Sequence, residues 1–227
     1  QIGDENVHRV RAVMDEVFGD VNFISMIMFA KTGGLKANFL SSVCDVILWY
    51  GKDRHSTKFR RLYLKKTPGE PGATQFRYEL LDSGDLRQVG VDDARTLPPH
   101  LVARHDNLTS QGNPFYEYRF RGRMYRKRYK PSPDNMPRLE KAGRICVFGD
   151  TPEYIRRLSD FGVFEVTELW NDLAISGFSD PKVYVVQTAT SAIARCLLMS
   201  SDPGDLVLDP TCGSGTTAYV AEQWGRR

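Results

Sequence analysis

The sequence predicts an α/β fold interrupted by an α+β insert, and three observations carry that expectation. Both ends of the chain alternate short apolar runs with amphipathic segments, whereas residues 56–135 are rich in Arg, Lys, Pro, Gly and Asp. Near the C-terminus, the apolar run Leu206-Val207-Leu208 feeds directly into a glycine loop, DPTCGSGTT, at 209–217. With 227 residues, 41% hydrophobic and 26% charged, the chain can bury a substantial core. No apolar run reaches the roughly 18 residues of a membrane span, so no membrane partner is expected.

The first segment, GDENVHRVRAVMDEVFGD, places Val7, Val10, Met14, Val17 and Phe18 on one face of a helix, with Asp4 as N-cap and Gly19 at the C-terminus. NFISMIMFA and CDVILWYGK follow as two strands separated by the Gly33-Gly34 break. Continuous apolar strands interleaved with amphipathic helices predict a sheet covered on both faces. The chain opens at Gln1 with no basic or apolar leader, and its first residues resemble the end of a strand, so a fragment is expected.

The texture changes after Lys52, with turn chemistry at TPGEPGA and PSPDNMP. Gly122 divides YEYRFR from RMYRKRY, the pattern of a β-hairpin. PDNMPRLEKAG predicts a short helix stopped by Gly143, and TPEYIRRLSDF another, with Thr151 as N-cap and Pro152 at its first position. Towards the C-terminus a helix over Thr190–Ser200 ends at DPGD, the strand LVLD leads into the glycine loop, and a further helix begins at Thr216. The expected division is 1–51 for the first part of the core, 52–170 for the insert, and 171–227 for the second part.

Cys44, Cys146, Cys196 and Cys212 are scattered, with no C-x-x-C pair, and His8, His55, His100 and His105 are equally dispersed. They are expected as reduced thiols and surface or satisfied histidines, with no metal site. The net charge is only +3, yet FYEYRFRGRMYRKRYK at 115–130 carries seven Lys or Arg against one Glu. A local excess of this kind points to a polyanionic partner.

A strand feeding a Gly-x-Gly turn and a helix start allows close backbone approach and offers free amides to an anion. The loop lacks the Lys of a Walker A motif and the third glycine of a dinucleotide fingerprint. LVLDPTCGSGTTA resembles the S-adenosylmethionine-binding motif of the DNA amino methyltransferases, whose familiar form is D-P-F-x-G-S-G-T-T. FSDPKVYVVQTATSAIARCLLMSSDPGDLVL, together with QIGDENVHRVRAVMDEVFGDVNFIS and CDVILWYGKD, is similar to flanking segments of the β-class order. The group named by the match is akin to the modification subunits of type III restriction systems. The resemblance implies a partial Rossmann-like methyltransferase core with a target-recognition insert. S-Adenosyl-L-methionine would be the cofactor, duplex DNA the substrate, and a homodimer or restriction subunit a further partner, in a prokaryotic cytoplasm. It places Asp209, Pro210, Thr211, Gly213, Ser214 and Gly215 around the methionine part of the cofactor, with Thr216 and Thr217 at the helix start. Lys182 is carried over from a Lys-Pro-like element that here occurs in reversed order.

The [D/N/S]-P-P-[Y/F] catalytic loop of the family does not occur in the sequence. Asn113, Pro114, Phe115 and Tyr116 come closest, but Phe115 stands in place of the second proline and the motif lies in the basic insert; turn chemistry explains it better. The resemblance therefore implies that the catalytic loop precedes Gln1 and that this chain alone is inactive. In the basic segment, Tyr118, Arg119, Arg121, Arg123, Tyr125, Arg126, Lys127 and Arg128 are the candidate DNA contacts. Simple alternation puts Arg119, Arg121 and Arg123 on one side of a strand and Tyr118 and Phe120 on the other, with Gly122 the point where register can break. A charge-protected edge strand, a non-catalytic DNA-binding module, and an RNA or small-molecule methyltransferase are the competing readings.

Overall fold

A computed structural model describes residues 1–3, 5–30, 38–173 and 190–227. In chain order the elements begin with helix α1 (Val7–Phe18) and strands β1 (Phe23–Ala30), β2 (Cys44–Tyr50), β3 (Tyr63–Lys65), β4 (Tyr78–Leu80) and β5 (Leu86–Gln88). They continue with α2 (Val91–Thr96), β6 (Val102–Asn107), β7 (Phe115–Phe120), β8 (Arg123–Arg128) and α3 (Met136–Lys141). The last are β9 (Ile145–Phe148), β10 (Thr151–Arg157), β11 (Val163–Glu165), β12 (Leu169–Trp170), α4 (Thr190–Ser200) and α5 (Thr216–Gln223). This is a mixed α/β architecture in two compact units, one of Gln1–Tyr63 with Glu165–Arg227, the other of Leu64–Phe164.

In the first unit, β1 is the middle strand of a β12-β1-β2 sheet. It runs antiparallel to β2, with Ile27 opposite Ile47, and parallel to β12, with Phe29 opposite Trp170. Alternation sends Ile27 and Phe29 into a core with Trp170, Leu173, Ala192 and Met199. Met26 and Met28, pointing the other way, stay 43% and 38% exposed, so among the described residues the sheet is covered on one face, not both. Helix α1 begins at Val7 with Asn6 in the N-cap position and ends at Gly19, whose φ of 82° suits glycine; the proposed cap Asp4 lies outside the described residues. The expected apolar face of α1 is not buried: Val17 and Phe18 remain exposed. The helix is held to β2 by polar contacts, Tyr50 Oη donating to Asp15 Oδ1 at 2.6 Å while Arg11 Nε reaches the same carboxylate at 3.0 Å.

Helices α4 and α5 join through Leu197, Val220 and Ala221. Buried Arg226 ties the end of the chain to α4, its Nε donating to Ser201 Oγ at 3.0 Å and Nη2 to the Ser201 carbonyl at 2.7 Å. The strand expected at Leu206-Val207-Leu208 does not form. Val207 N–H bonds to the Arg227 carbonyl, but Leu206 and Leu208 are 81% and 84% exposed, with no neighbouring strand among the described residues to complete a ladder.

The second unit is built on an antiparallel sheet of order β5-β4-β6-β10-β9. Here the expected helix at 151–161 is instead strand β10 and a 3-10 turn at Leu158–Asp160. Cross-strand pairing overrides the Thr-Pro helix signal: β10 lies between β6 and β9, and Ile155 is fully buried. Pro152, which has no N–H to give, precedes the ladder to β6, which starts at Glu153. The predicted hairpin is present as β7 and β8, and helix α3 ends before Gly143.

Candidate cofactor loop and nucleic-acid face

Asp209 organises the glycine loop. Its Oδ1 accepts from Thr211 N–H at 3.1 Å, Thr211 Oγ1 at 2.9 Å and Cys212 N–H at 3.1 Å. The Thr217 hydroxyl, then Thr211 and the Cys212 amide, hold the Asp209 carboxyl at about 2, below its ordinary 3.8. The loop then turns through three left-handed residues, Cys212 (φ 52°), Gly213 (φ 53°) and Gly215 (φ 76°), closed by Gly213 N–H to the Thr211 carbonyl and Gly215 N–H to the Cys212 carbonyl. A Cβ added at Gly213 or Gly215 would meet nothing within 4 Å. These glycines therefore serve backbone conformation and leave an open cradle rather than relieving a packed contact.

Gly215 occupies the N-cap of α5 without a side-chain cap, so the first amides of the helix keep their donors free of an intrahelical acceptor. Ser214 Oγ lies 2.7 Å from Thr216 Oγ1 at the same end. Open space, free amides and the positive end of a helix dipole fit a carboxylate, which is the donor chemistry a bound amino-acid moiety requires. Pro210 and Thr211 are exposed at the rim. The structure thus brings Asp209, Thr211, Gly213, Ser214, Gly215, Thr216 and Thr217 into one loop; Lys182 lies outside the described residues.

The basic segment forms a different arrangement from simple alternation. Arg121 (φ 49°) and Gly122 (φ 82°) make a two-residue turn, and Arg119 pairs with Met124, Tyr118 with Tyr125 and Phe120 with Arg123. Arg119, Arg121 and Arg123 therefore do not share a side. Arg121 is bonded to Asp85 and, at 2.6 Å, to the Ser83 carbonyl; Arg123 lies 3.0 Å from Asp150. Tyr118, Phe120 and Tyr125 face inward with Tyr116, against Tyr129, Met136 and Ile145. Lys127, opposite Tyr116, shares that inner side. Burial, then the contact with Glu140, raises the Tyr118 phenol above its ordinary pKa. The outward face carries Arg119, Arg126 and Arg128, together with Phe115 and Met124, which the sequence reading did not count among the DNA contacts; only the register reveals them there.

Asn113 and Pro114 lead into β7, and the Asn113 carbonyl accepts from Arg128 Nη1 at 2.9 Å. Tyr116 Oη donates to the Pro131 carbonyl at 2.6 Å. Among the described residues no group of three or more His, Cys, Asp or Glu could hold a metal, and no helix is long and apolar enough to cross a membrane.

The glycine loop at a helix start suits an anionic ligand without specifying one; residues 1–227 as a whole match the DNA methylase family of N6 and N4 methyltransferases, to which the chain belongs. Among its relatives, the Type II methyltransferase M.EcaI of Enterobacter cloacae is 26% identical over 233 residues, covering 100% of this chain and 48% of that protein. The Type II methyltransferase M.BamHI of Bacillus amyloliquefaciens is 28% identical over 113 residues, 45% of this chain and 25% of that protein. The chain spans about half the length of the first relative, and its matched segment a quarter of the second.

Proposed function

We propose that the chain supplies the methionine-binding loop and target-recognition region of a DNA amino methyltransferase. Such an enzyme transfers a methyl group from S-adenosyl-L-methionine to N6 of adenine or N4 of cytosine in duplex DNA. The observation that carries this reading is the uncapped helix start after the open Gly213 and Gly215 positions, in a chain belonging to the DNA methylase family. The first unit is read as part of a Rossmann-like core and the Leu64–Phe164 unit as the target-recognition insert.

In this reading the α5 amides take the cofactor carboxylate, Gly213 and Gly215 permit its close approach, and Asp209 shapes the loop through its bonds to Thr211 and Cys212. When bound, S-adenosylmethionine supplies an electrophilic methyl group. The polar acceptor and stacking ring that would hold an extruded base belong to a D-P-P-Y-like loop, and none of the 227 residues forms that motif. The contribution of this chain is therefore binding and recognition.

The test is transfer of tritiated methyl groups by the protein that contains this chain, followed by digestion and analysis of modified nucleosides. N6-methyladenine or N4-methylcytosine in duplex DNA is the expected product. Labelling of RNA alone would overturn the substrate assignment.

A further inference from the structure

The sequence treats all cations of the hairpin as one group, but the structure separates them by function. Arg121 and Arg123 are spent on the fold. Arg121 occupies a left-handed turn position that is unfavourable for a non-glycine residue, and its bonds to Asp85 and Ser83 fasten the tip to the β4–β5 turn. Arg123 is fastened in the same way to Asp150. Beneath them the inner row of Tyr116, Tyr118, Phe120 and Tyr125 is packed into a hydrophobic cluster, with Tyr116 also bonded to the Pro131 carbonyl. The hairpin is thus clamped at its tip and along its inner face.

We infer that the opposite face, with Phe115, Arg119, Met124, Arg126 and Arg128 presented together, is the surface that docks into duplex DNA. This inference rests on the proposed function and assigns that function's partner to a particular face. The Arg119 and Arg126 side chains have no ion-pair or hydrogen-bond partner among the described residues, and Arg128, its Nη1 donating to the Asn113 carbonyl at 2.9 Å, stands over the Phe115 ring at 4.5 Å. Three guanidiniums oppose a single carboxylate, Glu117, which lies across from Arg126. A face built only for solubility would be polar throughout, yet Phe115 and Met124 are 55% and 48% exposed within it. Cations interleaved with apolar groups match a DNA groove, where phosphates line the walls and thymine methyls the floor. A two-stranded ribbon also fits the roughly 12 Å width of the major groove. Because the clamps fix the face before contact, little ordering opposes binding.

The test measures affinity of the 227-residue chain for a fluorescent DNA duplex across a salt series. Arg119→Ala/Arg126→Ala is expected to weaken binding at least tenfold near 0.15 M salt and to lower the slope of log K against log salt by about 2. Glu117→Gln, which removes the one repelling charge, is expected to tighten binding about two- to fivefold. Lys52→Ala/Lys65→Ala, which removes the same charge elsewhere, should change affinity less than about twofold. Thermal melts establish that each variant is folded. If the parent chain binds but the double arginine variant matches it, or the lysine control weakens equally, the face is misassigned while the proposed function stands. If the parent binds no duplex, or binds RNA in preference, the proposed substrate falls and the inference with it.

Discussion

Asp209 is the residue on which the loop turns, and its chemistry was only partly legible in the sequence. The motif D-P-T-C-G-S-G-T-T locates it, and an acidic group there suggests attraction to a cationic ligand; the structure shows its Oδ1 instead occupied by donors of the loop itself. Since the folded carboxyl sits at about 2 against an ordinary 3.8, its ordering contribution is complete above about pH 4 and disappears as pH falls through about 2. The amide resonances of Thr211 and Cys212 should accordingly titrate with a midpoint near 2; a midpoint near 4 would show that these bonds do not favour the ionised form. Cysteine reactivity follows from burial in the same way. Desolvation first, then the charge of Glu153, pushes the Cys146 thiol up to about 12, and burial pushes Cys196 to about 11, whereas Cys212 is exposed on the loop. Iodoacetamide followed by mass spectrometry should find Cys212 alkylated in the folded protein and Cys146 and Cys196 protected until unfolding.

At the level of elements, the sequence spoke clearly wherever local pattern and tertiary packing agree. The helix at Thr190–Ser200 and the strands over NFISMIMFA and CDVILWY follow from apolar runs with glycine or polar stops. It misled where long-range pairing decides: Thr151-Pro152 is an ordinary helix start, but the segment alternates and finds strands on both sides. The apolar run at 206–208 shows the reverse case, a β-forming sequence without a neighbouring strand among the described residues. The shared side expected of Arg119, Arg121 and Arg123 does not form, because the register breaks at the two-residue turn 121–122, which sends the chain back and puts Arg123 opposite Phe120 on the inner face. Packing of that inner face depends on Met136, fully buried at the start of α3. Met136→Ala should cost about 2–5 kcal/mol of stability in the unit that contains it, read from urea unfolding; a loss under about 1 kcal/mol would mean the site collapses around the missing side chain.

Over the whole molecule, the chain is organised as two units that each carry their own hydrophobic clusters. Ile27, Phe29, Trp170 and Met199 belong to the first, and Tyr125, Tyr129, Met136 and Ile145 to the second. The sequence signals the second unit by composition, but composition drifts gradually, whereas the compact units divide at Tyr63/Leu64 and Phe164/Glu165. A segment of 64–164 produced alone should melt in a single cooperative transition, since it contains its sheet and clusters intact; a broad, non-cooperative melt would show that it needs the other unit. The proposed function places the cofactor at the loop of the first unit, where Cys212, Gly213 and Gly215 take left-handed backbone conformations. Its most direct test is a titration of the isotope-labelled chain with S-adenosyl-L-methionine, followed by amide NMR. The account predicts saturable shifts centred on Thr211–Thr217; absence of shifts there, or shifts confined to other residues, would contradict it.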